Sequence, residues 1–112
     1  MSKRKYTYEY VEVTKIIDGD TIEAMVDLGF DTWKCVKFRL YGINAPEITG
    51  EERELGLRSK EYLSSLIPVG SIIKVECLGK EKYGRWLGIL IKDDVNLNEK
   101  LIQEGYAKEY KC

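Results

Sequence analysis

The stretch "FRLYGINAPE", Phe38 to Glu47, decides how this chain is read. It begins as a strand and ends in turn chemistry. If the segment alternates regularly, Val36, Phe38 and Leu40 share one face, and Cys35, Lys37, Arg39 and Tyr41 share the other. Arg39 therefore projects away from the core. Pro46 cannot donate to a ladder and disfavours helix for Ala45 before it. The strand is expected to end near Asn44 and to leave Glu47 in a loop mouth. A cation, an amide oxygen and a carboxylate then meet at one end of a sheet.

Working outward, the neighbouring segments fit a small barrel. Residues 6–17 are rich in Tyr, Val, Thr and Ile, as strands are. "DGD" at 18–20 breaks them. Residues 21–28 then alternate, with Ile22, Ala24, Val26 and Leu28 on one face. A third strand is expected over 34–43. Thr49 and Glu52 have the spacing of a capping box, and Leu55, Tyr62, Leu63 and Leu66 recur at roughly helical spacing until "PVG" at 68–70. Fourth and fifth strands are expected over 71–77 and 85–92. Asn96 and Glu99 open a second, short helix that should run to Glu104, with Gly105 closing it. Three strands, a helix, two strands and a helix suit a five-stranded Greek-key barrel, the OB-fold. The alternatives are an open α+β sheet or another small barrel.

Composition narrows the chemistry. The 112 residues are expected to form one domain, 1–112, with about five flexible residues at the N-terminus. Lys+Arg 18 against Asp+Glu 19 gives a net charge of -1, so any nucleic-acid-binding surface has to be local. There is no histidine, which excludes His-based acid–base catalysis. The three cysteines, Cys35, Cys77 and Cys112, are widely spaced and read as free thiols in a reducing compartment. No apolar run approaches the ~20 residues of a membrane span, and no secretory segment follows the basic start. A cytoplasmic monomer is expected.

Asp20 sits in "DGD", and "KYGR" delivers a second arginine, Arg85, at the start of the fifth strand. Two arginines and three oxygen-bearing groups, each at a strand end, suit phosphodiester chemistry. Hard cations take Asp, Asn and backbone oxygens. A carboxylate activates water. Arginines clamp phosphate oxygens bidentately.

Four blocks, "IIDGDTIEAMV", "VKFRLYGINAPE", "EKYGRWLGIL" and "VNLNEKLIQEGYAK", resemble the staphylococcal nuclease-like family in order and spacing, over most of residues 11 to 108. The resemblance independently implies a five-stranded OB barrel with helices. It also implies roles. Asp20 looks like the carboxylate that binds Ca²⁺. Asn44 stands where the family usually has a second metal-binding Asp, and Ala45 where a backbone carbonyl contributes. Glu47 looks like the general base. Arg39 and Arg85 look like the arginines that hold the scissile phosphate and stabilise its transition state. Lys82 and Tyr83 match substrate-contacting positions, and Asp18 a supporting acid near the metal. The family's third helix and a tyrosine-bearing substrate segment find no counterpart before Cys112, although Tyr110 is placed to substitute in part.

Three functional classes follow. One is a Ca²⁺-dependent nuclease on DNA and RNA, with single strands preferred, that by resemblance leaves 3′-phosphate ends. The second is a non-catalytic nucleic-acid-binding module. The third is a protein-interaction domain. Joint retention of Asp20, Arg39, Glu47 and Arg85 favours the first, and Asn44 alone favours the second.

Overall fold

The computed structural model describes residues 6–110. The expected flexible N-terminus and Cys112 lie outside the described residues. Strand β1 (Tyr6–Asp18) turns through Gly19–Asp20 into β2 (Thr21–Asp27), which pairs antiparallel with β3 (Trp33–Leu40). The alternation holds: Ile22, Ala24, Val26, Phe38 and Leu40 are buried, and Ile22 lies opposite Phe38. Leu28 departs from it. It falls beyond the end of β2 and is exposed.

Long β1 serves two partners. It pairs with β2 on one side and with β5 (Ile72–Lys80) on the other, and its register shifts between Val13 and Lys15. Such a bulge bends a strand, which a closed barrel requires. Strand β6 (Trp86–Lys92) pairs antiparallel with β5 and parallel with β3, joining Phe38 to Trp86, Arg39 to Leu87 and Leu40 to Gly88. This seam closes a five-stranded barrel. Gly88 is needed at it. A Cβ there would lie 3.0 Å from Val75 and 3.1 Å from the Phe38 ring. The expected OB architecture with two helices is the one observed.

The third strand is shorter than expected. β3 stops at Leu40, Tyr41–Gly42 turns with Gly42 at φ 80°, and a separate two-residue strand β4 (Ile43–Asn44) follows. It pairs with β8 (Lys108–Glu109), which follows β7 (Val95–Asn96) and helix α2 (Leu97–Gln103). Asn96 caps α2 by accepting from the Glu99 amide at 3.1 Å, as its spacing predicts. Gly105, at φ 81°, closes the helix: its N–H bonds the Ile102 carbonyl and that of Tyr106 bonds Leu101, the Schellman pattern.

Helix α1 (Arg53–Leu66) differs more from its sequence reading. A 3-10 turn at Gly50–Glu52 precedes it, and the Thr49 side chain makes no cap bond. Leu55 is exposed, and the inner face is instead Gly56, Ser59 and Leu63, with Ile67 just beyond. Small residues let the helix approach the barrel closely. A Cβ on Gly56 would run into the Glu47 carbonyl oxygen, and one on Gly19 would lie 2.7 Å from Ser59 and 2.9 Å from Ala45. The turn at 18–20, the segment 44–47 and α1 thus interlock. Gly56→Ala is expected to destabilise the protein by about 1–3 kcal/mol, the usual cost of overpacking, and to displace Glu47. Denaturant melts check the loss of stability, and a structure of the variant checks the displacement. Among the described residues no helix is long and apolar enough to cross a membrane.

Candidate active site

The turn at 18–20, the end of β3, the segment 44–49 and the residue before β6 converge on one cavity of about 240 Å³. Asp18, Asp20, Arg39, Asn44, Ala45, Glu47 and Arg85 all line it, beside Pro46, Ile48 and Thr49. Seven of the nine residues singled out in the sequence are therefore gathered in one place. Lys82 and Tyr83 are not among them. They lie on the exposed turn leading to Arg85, with Lys82 Nζ 5.3 Å from the centre of the Tyr83 ring.

Asp20 is the hub. It is buried, with one carboxylate oxygen accepting from the Thr21 hydroxyl at 3.1 Å and the other from the Ala45 amide at 2.9 Å. The second oxygen also lies 3.1 Å from Arg39 Nη1. Arg39 Nη2 donates to Asn44 Oδ1 at 3.3 Å. One guanidinium thus ties the Asp20 turn to the Asn44 segment. Arg39 Nη1 is within ion-pair distance of Asp20 but out of hydrogen-bond alignment, and it is buried. Among the described residues it is the one buried side-chain nitrogen or oxygen left without a hydrogen-bond partner. Its charge is met by the Asp20 carboxylate, while the alignment leaves this donor without a formal hydrogen bond.

Asp18 accepts the Asp20 amide at 3.0 Å. Burial, then a hydrogen bond with the Asp20 side chain and repulsion by that carboxylate, push its pKa up to about 6. Two crowded carboxylates, an amide oxygen and the 44–46 backbone form a hard-oxygen set suited to Ca²⁺ or Mg²⁺ rather than to softer metals. The set is sparse. Among the described residues no cluster of three or more Asp, Glu, His or Cys side chains gathers as a metal cage. Asp20 already accepts two hydrogen bonds and pairs with Arg39, so the residues fit a cation that keeps much of its water shell.

Arg85 has a partner that the sequence reading missed. Its Nε and Nη2 meet the two carboxylate oxygens of Glu81 at 3.0 and 3.3 Å. The same Glu81 oxygen also accepts the backbone amides of Tyr83 and Arg85. The hydrogen bond from Arg85 holds the Glu81 carboxyl below its ordinary range. The Glu81 bond, reinforced by the charges of Asp20 and Asp18, raises that of Arg85. Glu81 so fixes both the turn and the guanidinium. The separation of four residues looks like a helical pair in sequence, but here it spans a turn. Glu81→Gln is expected to loosen the 81–85 turn and free the Arg85 guanidinium, which faster amide exchange at Tyr83 and Arg85 would show.

Tyr110, named from the sequence as a partial substitute, lies near Arg39. Its amide bonds the Gly42 carbonyl at 2.8 Å, and Arg39 Cζ lies 5.8 Å from its ring centre. The pairing of β4 with β8 carries it there, so a tyrosine does stand beside the cavity. Asn98 acts at a distance. Buried on α2, it accepts from the Leu90 amide and donates to the Tyr41 and Gly88 carbonyls, pinning the β3–β6 seam that presents Arg39.

A family model described as staphylococcal nuclease homologue matches residues 37–112. The chain belongs to this family. Its relatives include an uncharacterized endonuclease of Escherichia coli O157:H7, 34% identical over 99 residues, which cover 88% of this chain and 59% of that protein. A micrococcal nuclease of Shigella flexneri is 29% identical over 109 residues, covering 89% of this chain and 58% of that one. An uncharacterized protein of Methanocaldococcus jannaschii is 28% identical, with 94% and 61% covered. The chain spans about three-fifths of the length of these curated relatives. Both the OB barrel and the family named from the four sequence blocks are borne out.

Proposed function

We propose that this protein is a Ca²⁺-dependent nuclease that hydrolyses phosphodiester bonds in DNA and RNA and leaves 3′-phosphate ends. The observation that carries the reading is one cavity lined by the guanidiniums of Arg39 and Arg85 and by the carboxylates of Asp18, Asp20 and Glu47. The nuclease names among the relatives support it.

In this reading Arg39 and Arg85 hold the equatorial oxygens of the scissile phosphate as charge develops on them. Glu47 accepts a proton from the attacking water. Asp20, Asn44 and the Ala45 carbonyl hold the cation, with Asp18 supporting them. When bound, Ca²⁺ supplies positive charge beside the phosphate. Lys82 and Tyr83, on their exposed turn, contact the strand beyond the cleft, and single strands are preferred because stacking on Tyr83 needs unpaired bases. The protein acts as a cytoplasmic monomer. Plasmid and RNA cleavage with Ca²⁺ and with EGTA, followed by end-group analysis, tests the whole. Tight binding without cutting selects the non-catalytic module instead.

Asn44 sets the cation requirement. An amide oxygen ligates Ca²⁺ without a carboxylate's attraction, and a unit charge near a divalent ion is worth on the order of several kcal/mol before desolvation. Part of the new charge in Asn44→Asp is spent on Arg39, already 3.3 Å from this side chain. The variant is still expected to reach half-maximal cutting at roughly ten-fold less Ca²⁺, since affinity follows ligand charge. Calcium titrations by calorimetry and by rate check it. Coincident curves for the two proteins remove Asn44 from the ligand set.

A further inference from the structure

A second cavity, of about 300 Å³, opens on the other face of the same seam. The β3–β6 ladder begins only at Phe38 and Trp86, so residues 33–37 of β3 have no partner on that side and the barrel wall is parted there. Tyr6, Tyr8, Lys34, Val36, Phe38 and Trp86 line the opening, and among the described residues no acidic side chain does. The Tyr6 and Tyr8 rings are stacked at 6.4 Å, and Lys80 Nζ sits 5.7 Å from the Trp86 ring centre. An aromatic-walled recess with Lys34 in its lining and Lys80 beside Trp86, in a protein whose net charge is -1, is a local concentration of the chemistry that takes nucleobases and their phosphates.

Its place relative to the cleft is fixed by the pleat. Phe38 precedes Arg39 and Trp86 precedes Leu87, which pairs with Arg39; Arg85 immediately precedes Trp86. Neighbouring residues point to opposite faces. The two arginines of the cleft and the two aromatics of the recess therefore stand back to back at the point where the seam starts. The seam begins there, so the wall between the two faces ends at these residues.

We propose that this recess is a stacking subsite for an unpaired nucleobase of a DNA or RNA strand whose phosphate lies in the cleft. The inference rests on the nuclease reading and extends it. The volume matches the lower end of small-ligand pockets, about 300–1,000 Å³. A subsite here also lengthens the contact toward the footprint of about 4–16 nucleotides that OB-folds cover.

The test uses the full chain, two labelled oligothymidylates of about 3 and about 12 nucleotides, and EGTA to prevent cutting. The longer probe is expected to bind roughly ten-fold tighter, the scale of one stacked base. Tyr6→Ser and Lys34→Glu, at exposed positions that the core does not need, should each remove that advantage. Neither should change cleavage of the short probe once Ca²⁺ is added. Trp33→Phe leaves Trp86 as the single tryptophan, and its fluorescence should be quenched by the long probe alone. Equal affinities for the two probes, or variants that bind the long probe as the native protein does, overturn the proposal. A dimer in sedimentation that either variant disperses overturns it in favour of a second copy as the occupant. If neither probe is cut with Ca²⁺ while length-dependent, variant-sensitive binding persists, the catalytic reading falls and the subsite stands.

Discussion

Glu47→Gln is expected to bind nucleic acid as the native protein does and to lose turnover by about 10²–10⁴-fold, the usual range for removal of a general base. The substitution keeps shape and removes only basicity. Glu47 is exposed on the cavity wall, and among the described residues its carboxylate has no hydrogen-bond or ion-pair partner. Among the described residues nothing competes for its lone pairs. Its backbone, in contrast, is held: the carbonyl packs on Gly56, so the side chain departs from a fixed point. A free base on a rigid stem is what water activation asks for. Single-turnover cleavage, with binding measured separately in EGTA, gives the two quantities. Unchanged turnover in a folded variant removes Glu47 from the role.

Which parts of the molecule were legible in the sequence follows from the range of the forces involved. The β1–β2 turn, the alternation of β2 and β3 and the cap of α2 depend on near neighbours, and each is present. On α1 the reading holds for Leu63, which is buried, and for Tyr62 and Leu66, which pack against the core, but fails for Leu55, which is exposed; Gly56 and Ser59 take the closest approach, and a search for large apolar residues passes over them. The Thr49–Glu52 spacing failed because Gly50, at φ 73°, inserts a 3-10 turn between the supposed cap and the helix. Asp20, Arg39, Asn44, Glu47 and Arg85 announced themselves because each carries charge or amide chemistry at a strand end, while Asp18 and Ala45 came from the family resemblance. Glu81 and Asn98 gave no such sign, and Tyr110 was named only as a partial substitute. Their partners are chosen by a turn, by the barrel seam and by a two-residue strand, all of which exist only once the chain has folded. The interlock of Gly19, Ser59 and Ala45 belongs to the same class, and it is what brings four separated segments to one cavity.

Arg39→Lys and Arg85→Lys are each expected to reduce turnover by at least about 10²–10³-fold, the loss that follows removal of one preorganised donor from a developing oxyanion. Affinity for nucleic acid should change little, because the positive charge remains. Lysine cannot replace the planar fork of arginine. At position 39 the fork spans Asp20 and Asn44 at once, 3.1 and 3.3 Å away. A lysine ammonium reaches one partner or the other. At position 85 the fork is anchored through Nε and Nη2 to both oxygens of Glu81, which leaves the remaining donors oriented by a rigid group. A lysine there keeps one contact and swings freely. The two arginines are argued to hold one phosphate, so their effects should not add. The double variant is expected to lose less than the product of the single losses, as residues acting as a unit do. Thermal melts separate this from instability, which matters most at position 39, where the guanidinium also joins two segments of the fold. Near-native rates in either folded single variant, or strictly multiplicative losses in the double, argue against a shared clamp and leave the guanidiniums as general attractors of the nucleic-acid backbone.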